Sequence, residues 1–172
     1  MDRYFALEWY AATLEEFCNG KYKCPMPSHV EVLFEIGEGV NFLHSNGIVH
    51  GNLNPQTIVI SQSAITGVRM KVADFGLHKF VVYENEEVNN GGAYHYTSRI
   101  VRPLGHSKYW MKVKLLKVDK EGNPSATINN DIFAIGCLFF YYLKKESHPF
   151  GHEQSIVANI SNENPVSLKG NY

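Results

Sequence analysis

His50-Gly-Asn-Leu-Asn-Pro-Gln-Thr-Ile-Val-Ile60, followed after a second apolar stretch by Asp74-Phe75-Gly76, decides how the rest of this chain is read. By residue type it is a tight polar loop, punctuated by Pro55, that turns into a β-branched strand. Met70 to Ala73 then reads as a second strand that ends in an acidic turn. Two strand ends therefore deliver Asn52, Asn54, Thr57 and Asp74 to one place. Asn52 and Asn54 read first as turn-formers whose amides satisfy nearby backbone groups. For Asp74 two readings stand side by side: an acceptor for the amides of its own turn, and a carboxylate ligand for a hard cation.

The 172 residues are 44% hydrophobic and 19% charged, which is enough apolar material for one domain with a substantial core. The formal net charge of −1 gives no argument for a nucleic-acid partner, and the lysine-rich stretch Lys112 to Lys120 reads as a solvated face. Cys18, Cys24 and Cys137 are odd in number and lack ligand spacing, so neither a disulfide framework nor a metal cluster is expected. The most apolar run, Ile132 to Leu143, is shorter than the roughly 20 residues of a membrane span and reads as a buried helix.

Outward from the loop, Tyr4 to Leu7 reads as a short strand, and Thr13-Leu14-Glu15-Glu16 as a capping box opening a helix. Ser28 and Glu31 form a second capping box. A stripe of Val30, Leu33, Phe34, Ile36, Val40 and Leu43 predicts a half-buried helix that stops at Asn46-Gly47. Gly37 and Gly39 inside it imply a close helix contact, since each costs roughly 1 kcal/mol against Ala. Leu77 to Leu104 has no sustained period. Asn129-Asn130-Asp131 reads as the cap of the apolar helix Ile132 to Leu143, which Ser147-His148-Pro149-Phe150-Gly151 ends, and a weak helix over Gln154 to Ile160 runs into a polar tail. His148 and His152 stand four apart, but Pro149 between them favours packing or surface roles over a metal pair.

The central stretch resembles the H-R-D-L-K-P-x-N-I loop and D-F-G turn of eukaryotic protein kinases. Several further segments, in the right order, are similar to the endoplasmic-reticulum stress-sensor kinase/endoribonucleases and the related oligoadenylate-dependent ribonuclease. These are Ala11-Ala12-Thr13-Leu14, Leu43-His44-Ser45, Ile48-Val49-His50, Asp74 to Lys79, and Asp131-Ile132-Phe133 through Gly136-Cys137 to Gly151. The resemblance implies an α+β, kinase-like large lobe, mainly helical with short β-hairpins, without most of the small lobe and the C-terminal helices. It divides the chain into a last small-lobe strand and hinge (4–10), a large lobe (11–160) and a tail (161–172).

By that resemblance Asn52 stands at the catalytic Asp position, Asn54 at that of the Lys facing the transferred phosphate, Thr57 at that of the metal-binding Asn, and Gly51 at that of an Arg. The adenine of ATP or ADP would bond to the backbone of Glu8 and Tyr10 and rest on Val59, with Asp74 and Thr57 toward Mg²⁺. His50, Phe75 and Asp131 match residues that hold the lobe together. An Asn amide has no useful basicity near neutral pH, and Thr57 is a shorter-reaching ligand than Asn. Lys112-Val113-Lys114 aligns with the family's A-P-E, and Gly51 removes the Arg that would read a phosphate at Thr97 or Ser98.

The expectation is a degenerate serine/threonine-kinase-like domain that binds nucleotide weakly, has no membrane segment, lies in the cytoplasm, and docks another protein or kinase domain. Two alternatives remain open from sequence: an active ATP-dependent serine/threonine kinase, and a truncated product without a function of its own.

Overall fold

Ser28 accepts the amide of Glu31 at 3.3 Å while the Glu31 carboxylate accepts that of Ser28 at 2.9 Å, and this reciprocal cap opens the longer of the two N-terminal helices. In the computed structural model, which describes residues 8–74, 109–112, 117–118, 124–145 and 147–168, that helix is α2, His29–Ser45. Thr13 and Glu16 cap the short α1, Leu14–Cys18, in the same way. Both helix starts are where the sequence puts them. The expected strand Tyr4 to Leu7, Phe75 and Gly76 of the acidic turn, the stretch Leu77 to Leu104 with Thr97 and Ser98, and Val113-Lys114 lie outside the described residues.

A three-stranded antiparallel sheet lies against α2. Its strands are β1, Ala12–Thr13, β2, Ile58–Ser63, and β3, Gly67–Val72, in the order β1-β2-β3, with Ala12 opposite Ile60 and Val59 opposite Lys71. The β2-β3 turn uses Gly67 at φ 72°, and the Ser63 hydroxyl accepts the amide of Ile65 at 3.1 Å. Glu35 of α2 fixes the sheet's position: its carboxylate accepts the Met70 amide at 2.7 Å and pairs with Arg69.

Two expectations about α2 are corrected. Val32, Ile36, Val40 and Leu43 form its buried face, while Val30 and Phe34 are 76% and 65% exposed. Helix positions two apart point in nearly opposite directions, so Val30 cannot share a face with Val32. The close contact at Gly39 is with a strand rather than a helix, because a Cβ there would lie 2.8 Å from Val72 Cγ2. A Cβ on Gly37 would meet nothing within 4 Å.

A second hairpin pairs β4, Lys117–Val118, with β5, Pro124–Ser125. The apolar helix, α3, spans Ile128–Lys144 and so begins a turn earlier than expected. Thr127 is the cap: its amide and hydroxyl both donate to Asn130 Oδ1 at 3.1 Å. Asp131 is therefore inside the first turn, and its carboxylate is available for a different task. α2 and α3 run antiparallel, pinned near one end by His29 Nδ1 to Tyr142 Oη and near the other by His44 Nε2 to Asp131 Oδ2, both 2.9 Å.

Leu14, Val32, Ile36, Ile58, Ile60 and Leu138 form the centre of the core between these helices and the sheet. α4 covers Glu153–Ser161. The segment expected as a polar tail is ordered after it: Val166–Leu168 forms a 3-10 turn, with the Ser167 amide donating to Pro149 O at 3.0 Å and its hydroxyl to His148 O at 2.8 Å.

Candidate functional site

The loop His50 to Thr57 is held by one buried carboxylate. Asp131 is 1% exposed, and it accepts the His50 amide at 2.8 Å through Oδ2 and the Gly51 amide at 2.8 Å through Oδ1. Gly51 sits at φ 75°, where a side chain is strained, so glycine at this position matches the backbone that the Asp131 grip requires. The His50 ring is fully buried: Nε2 lies 2.9 Å from Ala73 O, and Nδ1 accepts the Asn52 amide at 3.2 Å. That network fixes the tautomer with the proton on Nε2, and burial lowers the pKa of the ring below its ordinary value, so it stays neutral. Through Ala73, His50 ties the loop to the end of β3 beside Asp74.

Within the loop the polar side chains are largely spent on one another. Asn54 is 4% exposed; its Oδ1 accepts the Gln56 amide at 2.9 Å and its Nδ2 donates to Asn52 O at 2.8 Å. The Thr57 hydroxyl, 3% exposed, accepts the Asn54 amide at 3.1 Å and donates to Asn54 O at 3.0 Å. Asn52 is partly buried, and its side chain lies beside the Asn54 amide at 3.5 Å. Asp74 is exposed at the end of β3 with φ 60°. Of the residues expected to hold a cation, Asp74 offers a carboxylate, whereas the Thr57 hydroxyl is turned into the loop. Among the described residues no group of three His, Cys, Asp or Glu side chains converges on a metal position.

The residues expected as the hinge, Glu8 to Tyr10, are joined to the same sheet. Trp9 and Tyr10 are 71% and 48% exposed, and the Ala11 amide donates to Ile60 O at 2.7 Å. The Glu8 carboxylate accepts from Ser61 Oγ at 2.9 Å and from Lys71 Nζ at 2.6 Å. The Lys71 hydrogen bond, and then that of Ser61, lowers the pKa of Glu8 below the usual carboxylate value. Lys71 is directly opposite Val59, and Ser61 is two residues on from it, so all three share the sheet face on which Val59 lies. Ser61 and Lys71 were not singled out from sequence. The signal was the period-two alternation across β2 and β3, which identifies every residue on the Val59 face once the register is known.

This geometry carries a loop gripped by an acid in the first turn of a helix buried along one face, a hairpin leading to an exposed Asp, and residues 8–11 stitched to the same sheet. The protein kinase domain family matches the chain over residues 1–169. The chain belongs to the protein kinase family. The sensor for unfolded proteins in the ER ire1 of Schizosaccharomyces pombe is 34% identical over 154 residues, covering 83% of this kinase domain and 14% of that protein. The serine/threonine-protein kinase/endoribonuclease IRE2 of Homo sapiens is 31% identical over 159 residues, 91% of this chain and 16% of its own length. A probable serine/threonine-protein kinase, irlD of Dictyostelium discoideum, is 31% identical over 137 residues, 80% and 8% of the two chains. The kinase domain thus spans 16% or less of the length of these relatives.

His148 and His152 line a cavity together with Pro55 and Gln56 of the loop, but they have different roles. His148 is buried under Trp110, with ring centroids 4.9 Å apart, and accepts the Phe150 amide at 3.2 Å; His152 precedes α4 as its exposed cap residue. Burial pushes the His148 pKa from 6.5 down to about 4. No helix among the described residues is long and apolar enough to cross a membrane.

Proposed function

We propose that this kinase domain is catalytically degenerate, binds ATP or ADP weakly with Mg²⁺, and acts as a binding or scaffolding module toward another protein or kinase domain. The observation that carries this reading is the hydrogen bonding inside the loop. Phosphoryl transfer is positioning and charge stabilisation, and it asks the loop for an anionic acceptor of the substrate proton and a cation near the phosphate. Asn52 and Asn54 are neutral amides, and the Asn54 side chain is committed to Gln56 and Asn52 rather than directed outward. His50, neutral and occupied on both ring nitrogens, is not a substitute base.

Asp74 is the residue that would hold Mg²⁺, which when bound would neutralise the nucleotide's phosphates. With Thr57 turned inward, one protein carboxylate remains for the metal, and that supports weak rather than tight binding. The adenine would bond to the Glu8 and Tyr10 backbone and lie on Val59.

Two measurements test the reading. Radiolabelled ATP with the chain and a generic serine/threonine substrate is expected to give no phosphate transfer, and transfer above background would favour an active serine/threonine kinase instead. Calorimetry with Mg-ADP is expected to return a dissociation constant weaker than about 1 μM, on the order of 8 kcal/mol of binding free energy or less. A sub-micromolar constant would overturn the weak-binding half.

A further inference from the structure

Three exposed residues in a row make up the hinge, Glu8, Trp9 and Tyr10, so burial contributes little to holding their backbone in place. Their polar contacts do so instead. At one end the Ala11 amide donates to Ile60 O at 2.7 Å, and at the other the Glu8 carboxylate is gripped by Ser61 Oγ and by Lys71 Nζ. Ser61 is 5% exposed, and its hydroxyl donates to the Glu8 carboxylate. Lys71 donates to both Glu8 oxygens, which commits the ammonium to the hinge rather than to a distant phosphate.

We propose that Ser61 and Lys71 are positioning residues for the base end of the nucleotide site: by locking Glu8 onto the Val59 face of the sheet they set the hinge backbone at the distance a purine base must bridge. The inference rests on the nucleotide reading above and adds to it which side chains tune that site. The ligand chemistry is that of a planar base with a donor and an acceptor edge, reading backbone groups while stacked on Val59. Neither Ser61 nor Lys71 touches the base itself. Their effect is preorganisation, and preorganisation is felt equally by a nucleoside and by its diphosphate.

The experiment uses the whole chain, with adenosine and Mg-ADP as probes and amide hydrogen exchange as a second readout. Lys71→Met is expected to weaken both probes by the same factor, about threefold to fivefold for an ion pair that stays in contact with water. It should also raise exchange at Trp9 to Ala11. Lys71→Arg should restore both readouts, as should the exchanged pair Glu8→Lys with Lys71→Glu. A loss confined to Mg-ADP would mean that Lys71 acts on phosphate charge and would overturn the proposal. Unchanged exchange in Lys71→Met would overturn it as well. A wild-type chain that binds neither probe removes the nucleotide reading and this inference with it, and the exchange data then separate that failure from a failure of the hinge contact.

Discussion

At the scale of single residues, Asp131 has the largest share of the loop's geometry. Its carboxylate accepts N–H groups from His50 and Gly51 and approaches His44 Nε2, all with 1% of the residue exposed. Asp131→Asn would set an NH₂ against one of those backbone donors, leaving buried groups unpaired. The expected cost is about 3 kcal/mol, read as a lower urea midpoint with an unchanged slope. That His50 and Asp131 matter to the fold could be read from their resemblance to lobe-holding residues. The manner of their meeting could not, because the sequence put Asp131 at a helix cap. Only the Thr127–Asn130 cap one turn earlier explains why its carboxylate is spare.

At the scale of elements, the two glycines of α2 separate propensity from packing. Gly37→Ala meets nothing within 4 Å and should stabilise the chain by about 0.5–1 kcal/mol, the ordinary gain of Ala over Gly in a helix. Gly39→Ala puts a methyl 2.8 Å from Val72 Cγ2, and the overpacking should cancel or reverse that gain. Thermal melts of the two variants check this directly, with Gly37→Ala shifted upward and Gly39→Ala unshifted or lowered. Capping boxes made the starts of α1 and α2 legible, since Thr13-Glu16 and Ser28-Glu31 are local chemistry. The face of α2 was misread at Val30 and Phe34 because a helix in which apolar residues outnumber the buried positions does not say which of them face the core. The partner of Gly39 was misread because strand-to-helix contact is tertiary information that a glycine alone does not carry.

At the scale of the whole molecule, acid should loosen the fold where His148 packs against Trp110. His148 has its pKa lowered to about 4 by burial against Trp110, while the unfolded chain binds its proton near 6.5. The unfolded state therefore takes up a proton that the folded state refuses. Stability is unaffected by this group above pH 6.5 and falls as the pH drops toward 4, by about 3 kcal/mol over that window. His50, also lowered by burial, acts with the same sign. Urea unfolding at pH 7 and pH 4.5 should show the drop. His148→Asn, which keeps an acceptor for the Phe150 amide, should start less stable and lose less between the two conditions. The family and the order of its segments were legible in the chain because loop, turn and helix motifs are written in contiguous residues. The sharing of hydrogen bonds among Asn52, Asn54 and Thr57 was not legible, because it depends on angles within a loop that residue types do not specify. The Asp131 contact with His50 and Gly51 joins positions 81 and 80 residues apart, whereas the β2-β3 hairpin closes within a few. Ring closure across that length carries an entropy penalty that grows only slowly with further residues, about 0.6 kcal/mol for each doubling. The chain between the two ends can therefore lengthen or shorten at little thermodynamic expense, but the loop His50 to Thr57 can take its final shape only once α3 has arrived to claim it.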